Sequence, residues 1–218
     1  MRRRVGAVVV GLGLMLNSCA ILASLKDQVV EPSAGQVRAY EGKVVAIRAG
    51  ASEPESLDLD SKVFAGDIIR TLENSRCRIG LNDGTVLTLG ERTEMEIRAS
   101  ASSGSQDTRR MVVKVATGLL RLVGFVAPGA GTAVEVVTAL ASYTFSPTEA
   151  IIEVTPTRSS ALNLDGTVHV VSLQEGIPGE VELQPGEGTN IELGKPPTPP
   201  NRWSAERVER VKQATYLP

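Results

Sequence analysis

The sequence predicts an all-β fold, an antiparallel sandwich or a short solenoid-like roll of about ten or more short strands, followed by one short C-terminal helix. Three observations carry this expectation. Apolar residues recur at every second position in run after run, the period of a strand with one buried face. Gly, with Asn, Asp or Pro beside it, punctuates those runs at intervals near ten residues. Between the runs there is no segment long enough to hold the helix of a βαβ crossover.

In chain order, residues 1–18 read as a signal peptide, 19–41 as a tether, 42–194 as the β domain, and 195–218 as a proline-rich spacer with a terminal helix. The leader has Arg2-Arg3-Arg4, an apolar run from Val5 to Leu16, and small residues beyond. A charged start, a short apolar core and a small-residue cleavage zone describe a secretory signal, and the apolar run is too short for a permanent span. Leu16-Asn17-Ser18-Cys19 resembles the lipobox of bacterial lipoproteins, which implies cleavage before Cys19 and lipid on its thiol. The alternative is cleavage near Ala23 and release as a soluble secreted protein.

With Cys19 lipidated, Cys77 is the remaining thiol, and a lone thiol makes no intrachain disulfide. Cys77 alternates with Ile79 and Leu81 and is expected to be a small buried hydrophobe. Loss of the leader removes three arginines, leaving 20 basic against 25 acidic side chains. That balance, with three Phe, three Tyr and one Trp, provides neither the basic stripe nor the stacking surface that nucleic acid requires.

The first strand is expected over Gly42–Ile47 and a second over Leu57–Val63, where Leu57, Leu59, Ser61 and Val63 alternate with Asp58, Asp60 and Lys62. The stretch Gly66–Ile97 is the organising unit. It holds at least three strands, with Asn82-Asp83-Gly84 as a tight reversal because these residue types tolerate left-handed backbone. Ala99–Arg110, rich in Ser, is expected to be an exposed mobile loop. Met111–Val126, branched and continuously apolar around Gly118, predicts central strands. Two or three more strands fall in Val134–Val154. Others follow at Val168–Val171, Glu180–Leu183 and Thr189–Leu193, and a helix with Ser204 as its N-cap over Ser204–Ala214. A second Asp-Gly-Thr-Val at Asp165–Val168 echoes Asp83–Val86, and independent turn chemistry accounts for it better than duplication.

Gly66-Asp67, Ile69, Thr71, Ser75, Ile79, Leu81, Asp83-Gly84-Thr85 and Leu89 together resemble the signature of the FecR domain family. Gly118-Leu119-Leu120-Arg121 is similar to that family's "G-x-L-R" strand start. Val137–Ala141 through Thr148-Glu149 resembles its later segment, with Ala139 and Ser146-Pro147 standing where the family has proline and Arg-Gly. The likeness covers roughly Gly42–Leu193. It marks Gly66, Asp67, Thr71, Asp83 and Gly84 as structural motif residues. It also implies an envelope domain that relays a receptor's state to a sigma factor from outside the cytoplasm.

No chemistry competes strongly with that reading. His169, the sole histidine, lies within a strand, so a Ser-His-Asp triad lacks its base. One histidine and one mature thiol cannot ligate zinc. Asp58, Asp60, Glu53 and Glu55 crowd one region without EF-hand spacing, and Ala127–Gly131 lacks the Lys-Ser/Thr of a nucleotide-binding loop. The expectation is a non-catalytic envelope lipoprotein, periplasmic and anchored in the outer membrane. It acts outside the cytoplasm in protein or glycan binding or in signal relay, takes no cofactor, metal, nucleotide or nucleic acid, and has no cytoplasmic part to hold a sigma factor. The alternative is an envelope hydrolase acting on cell-wall polymer through paired carboxylates such as Glu94 and Glu96.

Overall fold

The computed structural model describes residues 33–100, 110–124, 133–146 and 148–218. The leader with Cys19, the Ser-rich stretch 101–109 and the Ala127–Gly131 loop lie outside the described residues. Seventeen strands and one helix are seen among them. In chain order these are β1 (Gly35–Glu41), β2 (Val44–Ile47), β3 (Pro54–Ser56), β4 (Lys62–Val63), β5 (Ile68–Thr71), β6 (Arg76–Leu81), β7 (Val86–Leu89), β8 (Glu94–Ser100) and β9 (Arg110–Gly124). Then come β10 (Ala133–Val137), β11 (Ala141–Phe145), β12 (Thr148–Thr155), β13 (Arg158–Asp165), β14 (Val168–Ser172), β15 (Glu180–Leu183), β16 (Glu187–Glu192), β17 (Asn201–Arg202) and α1 (Ala205–Ala214).

These strands form a sandwich of two sheets that share one strand. The first sheet runs β4-β1-β6-β7-β9-β12-β13-β16-β17. The second runs β3-β2-β5-β8-β9-β10-β11-β14-β15. All pairings are antiparallel except β9 with β10. The N-terminal part of β9 pairs with β8 and β10, whereas Gly118–Gly124 pairs with β12 and, in part, with β7. Gly118, φ +103°, sits at the crossing. The central strands expected around this glycine are therefore one strand that turns a corner of the sandwich, a standard use of a strand glycine.

The alternation read from the sequence lands as the pleat demands. Cys77, Ile79 and Leu81 face inward from β6, Leu87 and Leu89 from β7, and Met95 and Ile97 from β8, all in one core cluster. Arg76, Arg78 and Gly80 take the outer face.

Several expectations need correction. The tether does not extend to residue 41, because Gly35–Glu41 is a strand paired with both β4 and β6. Leu57–Val63 is not a strand throughout. Only Lys62–Val63 pairs, and Asp60 takes φ +66° while Asp58 N–H donates to Ser61 Oγ at 2.9 Å. The Leu/Asp alternation there records one buried leucine, Leu57, followed by a polar turn. β13 carries no alternation because both of its faces are covered. Ser159, Ser160 and Asn163 are fully buried yet bonded, to Tyr143 at 2.5 Å, to Asn190 at 2.9 Å, and to the Gly166 and Leu183 carbonyls at 2.9 and 2.8 Å.

The domain also does not end at Lys195. Thr198 N–H donates to Asn190 O at 2.9 Å, Pro196 and Pro197 lie against Gly179, and β17 adds to β16. The helix then packs back on the outer face of the first sheet, where Trp203 and Val211 cover Ile151 and Leu162. Ser204 caps it as expected, accepting Arg207 N–H.

Candidate functional site

Gly66 and Asp67 build a corner before β5. Gly66 has φ +87° and a Cβ there would lie 2.8 Å from Ala49 Cβ, so only glycine fits. The Asp67 carboxylate, 1 % exposed, accepts Phe64 N–H at 2.8 Å and the Arg48 guanidinium. Arg48 in turn reaches Lys62 O at 3.1 Å, pairs with Glu55, and lies 5.1 Å from the Phe64 ring centre. A buried carboxylate is tolerated here because a backbone donor and a cation both meet it.

Thr71 sits 2 % exposed at the other end of β5. Its hydroxyl donates to Gly90 O at 2.5 Å and accepts Thr93 N–H at 3.0 Å. Ser75 likewise accepts Lys43 N–H at 2.8 Å. At the β6–β7 reversal Gly84 has φ +90°, Gly84 N–H donates to Leu81 O at 3.1 Å, and Asp83 Oδ1 accepts Thr85 N–H at 2.8 Å. The echoing Gly166 also has positive φ, +73°. It carries the chain from β13 in the first sheet to β14 in the second, so the two Asp-Gly-Thr-Val segments occupy different topological places.

The motif residues therefore sit at three separate corners and spend their polar groups on backbone and, at Asp67, also on the Arg48 guanidinium. They are not brought together around a pocket. The later motif segments do meet: Arg121, from the Gly118–Arg121 stretch, makes a two-pronged contact with Glu149, one bond 2.8 Å long.

Two clefts flank the C-terminal end of α1. One, of about 310 Å³, is lined by Glu41, Asn74, Ser75, Arg76, Glu91 and Ala214. The other, of about 360 Å³, lies under the helix among Leu119, Glu153, Val154, Arg210 and Val211. Their carboxylates are occupied: Glu41 by Arg76 at 2.7 Å, Glu91 by Asn74 N–H at 3.0 Å, and Glu153 by Arg207 and Arg210 at 3.0 and 3.3 Å. Glu94 and Glu96 stand on the outer face, paired with Arg70 at 2.6 Å and Arg98 at 2.7 Å. His169 is half-exposed, 3.5 Å from Glu180. Among the described residues no three His, Cys, Asp or Glu side chains group as metal ligands, and no helix is long and apolar enough to cross a membrane.

Burial is the main cause of the two large ionisation shifts. The Cys77 thiol is pushed up to about 12. The Tyr143 hydroxyl is pushed well above its ordinary range by desolvation, which the bond to Ser159 partly offsets.

Two crystal structures of a proposed anti-sigma factor from Parabacteroides distasonis share this fold. Each superposes with a TM-score of 0.51, at 17 % and 16 % sequence identity, over 65 % of this chain and 62 % of that one. The fold is therefore one that a proposed regulator of sigma factors also uses. The present chain spans less than two thirds of that protein's length. No protein-family model and no curated protein matches the sequence.

The sequence reading missed the C-terminal segment as part of this surface. Trp203, the only tryptophan, and the side of the helix that carries Val208 and Val211 were its available signals, because such apolar groups favour burial.

Proposed function

We propose that this protein is a non-catalytic bacterial envelope lipoprotein whose FecR-like domain acts outside the cytoplasm in protein or glycan binding or in signal relay. The observation that carries the reading is the expenditure of Gly66, Asp67, Thr71, Ser75 and Asp83 on corners of a sandwich. Such a domain offers rigid faces for contact. The likeness in fold to a proposed anti-sigma factor supports signalling as the use of that contact. The Leu16–Cys19 box supports attachment to the membrane through Cys19, probed as a partitioning problem: one acyl chain anchors only marginally, so stable attachment takes more than one.

Two measurements test the reading. Cys19→Ala moves the protein from the membrane to the soluble fraction; unchanged fractionation removes the anchor from the proposal. Deleting the gene changes transcription of a sigma-factor regulon, and the change is reversed by the exported chain but not by one lacking residues 1–18. An unaltered transcript profile in the deletion removes the relay. The hydrolase alternative rests on paired carboxylates such as Glu94 and Glu96, which line one cleft. Release of soluble fragments from cell-wall polymer by the purified protein, abolished in Glu94→Gln/Glu96→Gln, would replace binding with hydrolysis.

A further inference from the structure

The C-terminal segment from Pro196 to Pro218 is a self-contained attachment. It adds β17 to the edge of β16, then lays α1 over a strip formed by Ile151 and Leu162. Its link to the sandwich is the Leu193-Gly194-Lys195 turn, where Gly194 has φ +78° with room for a Cβ and Gln174 holds Gly194 N–H at 2.7 Å and Lys195 O at 2.8 Å. Of the ten residues of α1 only Val211 is buried, and a helix this short has little stability of its own in water. The strip supplies its structure.

Recognition between strap and strip is specific. Trp203 seats over Gly188, where any Cβ would lie 2.4 Å from Nε1. Arg207 stacks 3.4 Å from the Trp203 ring centre and reaches Glu153 at 3.0 Å and Asn190 at 3.1 Å. Arg210 joins at the other oxygen of Glu153, 3.3 Å away. At the far end Arg76 donates to Ala214 O at 3.2 Å and Arg78 donates to Leu217 O.

The contact is also imperfect. Two buried donors without partners among the described residues, Trp203 Nε1 and Arg158 Nε, belong to the strap and to the strip strand β13 beneath it. When the strap leaves, the edge of β16 is unpaired and the strip is bare, the kind of edge that accepts a strand from another chain.

We propose that the strap is exchangeable, and that the strip with the β16 edge is an interface occupied in trans by the strap of a second copy of this chain. The second copy is the occupant because it carries Trp203, Arg207, Arg210 and the Ala214 and Leu217 carbonyls in the register the strip receives. Reciprocal exchange closes on itself as a twofold dimer and leaves neither β16 edge unpaired.

Charge reversal across the contact tests this on the full chain. In Glu153→Arg the strip repels Arg207 and Arg210, and in Arg207→Glu/Arg210→Glu the strap repels Glu153, so each variant alone is mismatched in cis and in trans. Mixed, each strap meets a strip of opposite charge only on the other copy. The expected result by light scattering is a monomer mass for each variant alone and twice that mass for the equimolar mixture. A mixture that stays monomeric overturns the proposal. If either variant fails to fold, wild type refolded from denaturant over a range of concentrations decides the matter. A dimer fraction that grows with concentration and vanishes in Trp203→Ala supports exchange, and a monomer at every concentration overturns it.

Discussion

Thr93 Oγ1 accepts the backbone N–H of Leu119 at 3.0 Å and stands within 3.2 Å of Leu119 O, closing the corner at which β9 passes from one sheet to the other. The same hydroxyl reaches Gly90 O at 2.9 Å, and Gly90 O also receives the Thr71 hydroxyl. One buried threonine thus joins the β7–β8 turn, β5 and the crossing strand.

Gly118→Ala should be among the most damaging single changes. Its φ of +103° disfavours any Cβ, and the added atom would lie 2.4 Å from Thr93 Cα. The backbone penalty is about 1–2 kcal/mol, and the overlap with a buried main chain adds to it. Chemical denaturation should show a loss exceeding about 2 kcal/mol; a smaller loss would mean the corner can relax.

Gly84→Ala separates backbone cost from packing cost. With φ +90° and nothing within 4 Å of the added Cβ, the change should lower stability by on the order of 1 kcal/mol. An unchanged or raised denaturation midpoint would show that the turn does not need the left-handed conformation.

Asp67→Ala leaves Phe64 N–H and Arg48 without their acceptor. Arg48 keeps Glu55 and some solvent, which tempers the loss to roughly 1–3 kcal/mol. Asp67→Asn should cost less, because one amide oxygen still accepts Phe64 N–H. Equal losses for the two would show that the negative charge facing Arg48, rather than the bond to Phe64 N–H, is what matters there.

Cys77 and Tyr143 predict alkaline sensitivity. Both hold their protons in the folded protein beyond the pH at which the unfolded chain releases them, the thiol from an ordinary 9.0 to about 12 and the hydroxyl from 10.0 upward. Unfolding therefore releases protons, so their stabilising effect is complete below pH 9 and declines as pH rises toward 12. The slope is about 1.4 kcal/mol per pH unit for each group that titrates in the unfolded state alone. Denaturant midpoints between pH 8 and 11 should fall, and Cys77→Ala should flatten the lower part of that fall. Below pH 9 native Cys77 should resist thiol reagents, and rapid labelling would contradict its burial.

The local features of this protein follow from the order of its residues. Period-two alternation placed Cys77, Ile79, Leu87 and Met95 inside, and Asn82-Asp83-Gly84 marked a reversal, because these signals depend only on the pleat and on φ. That order could not show that Gly118 bends one strand rather than separating two. Nor could it show that Ser159, Ser160 and Asn163 are buried, or that the chain after Lys195 returns to the sheet. Those depend on which surfaces meet across long stretches of chain. A strand covered on both faces loses its alternation, and a polar helix is held by an apolar strip, Ile151 and Leu162, whose exposure or burial is decided only when both sheets have formed.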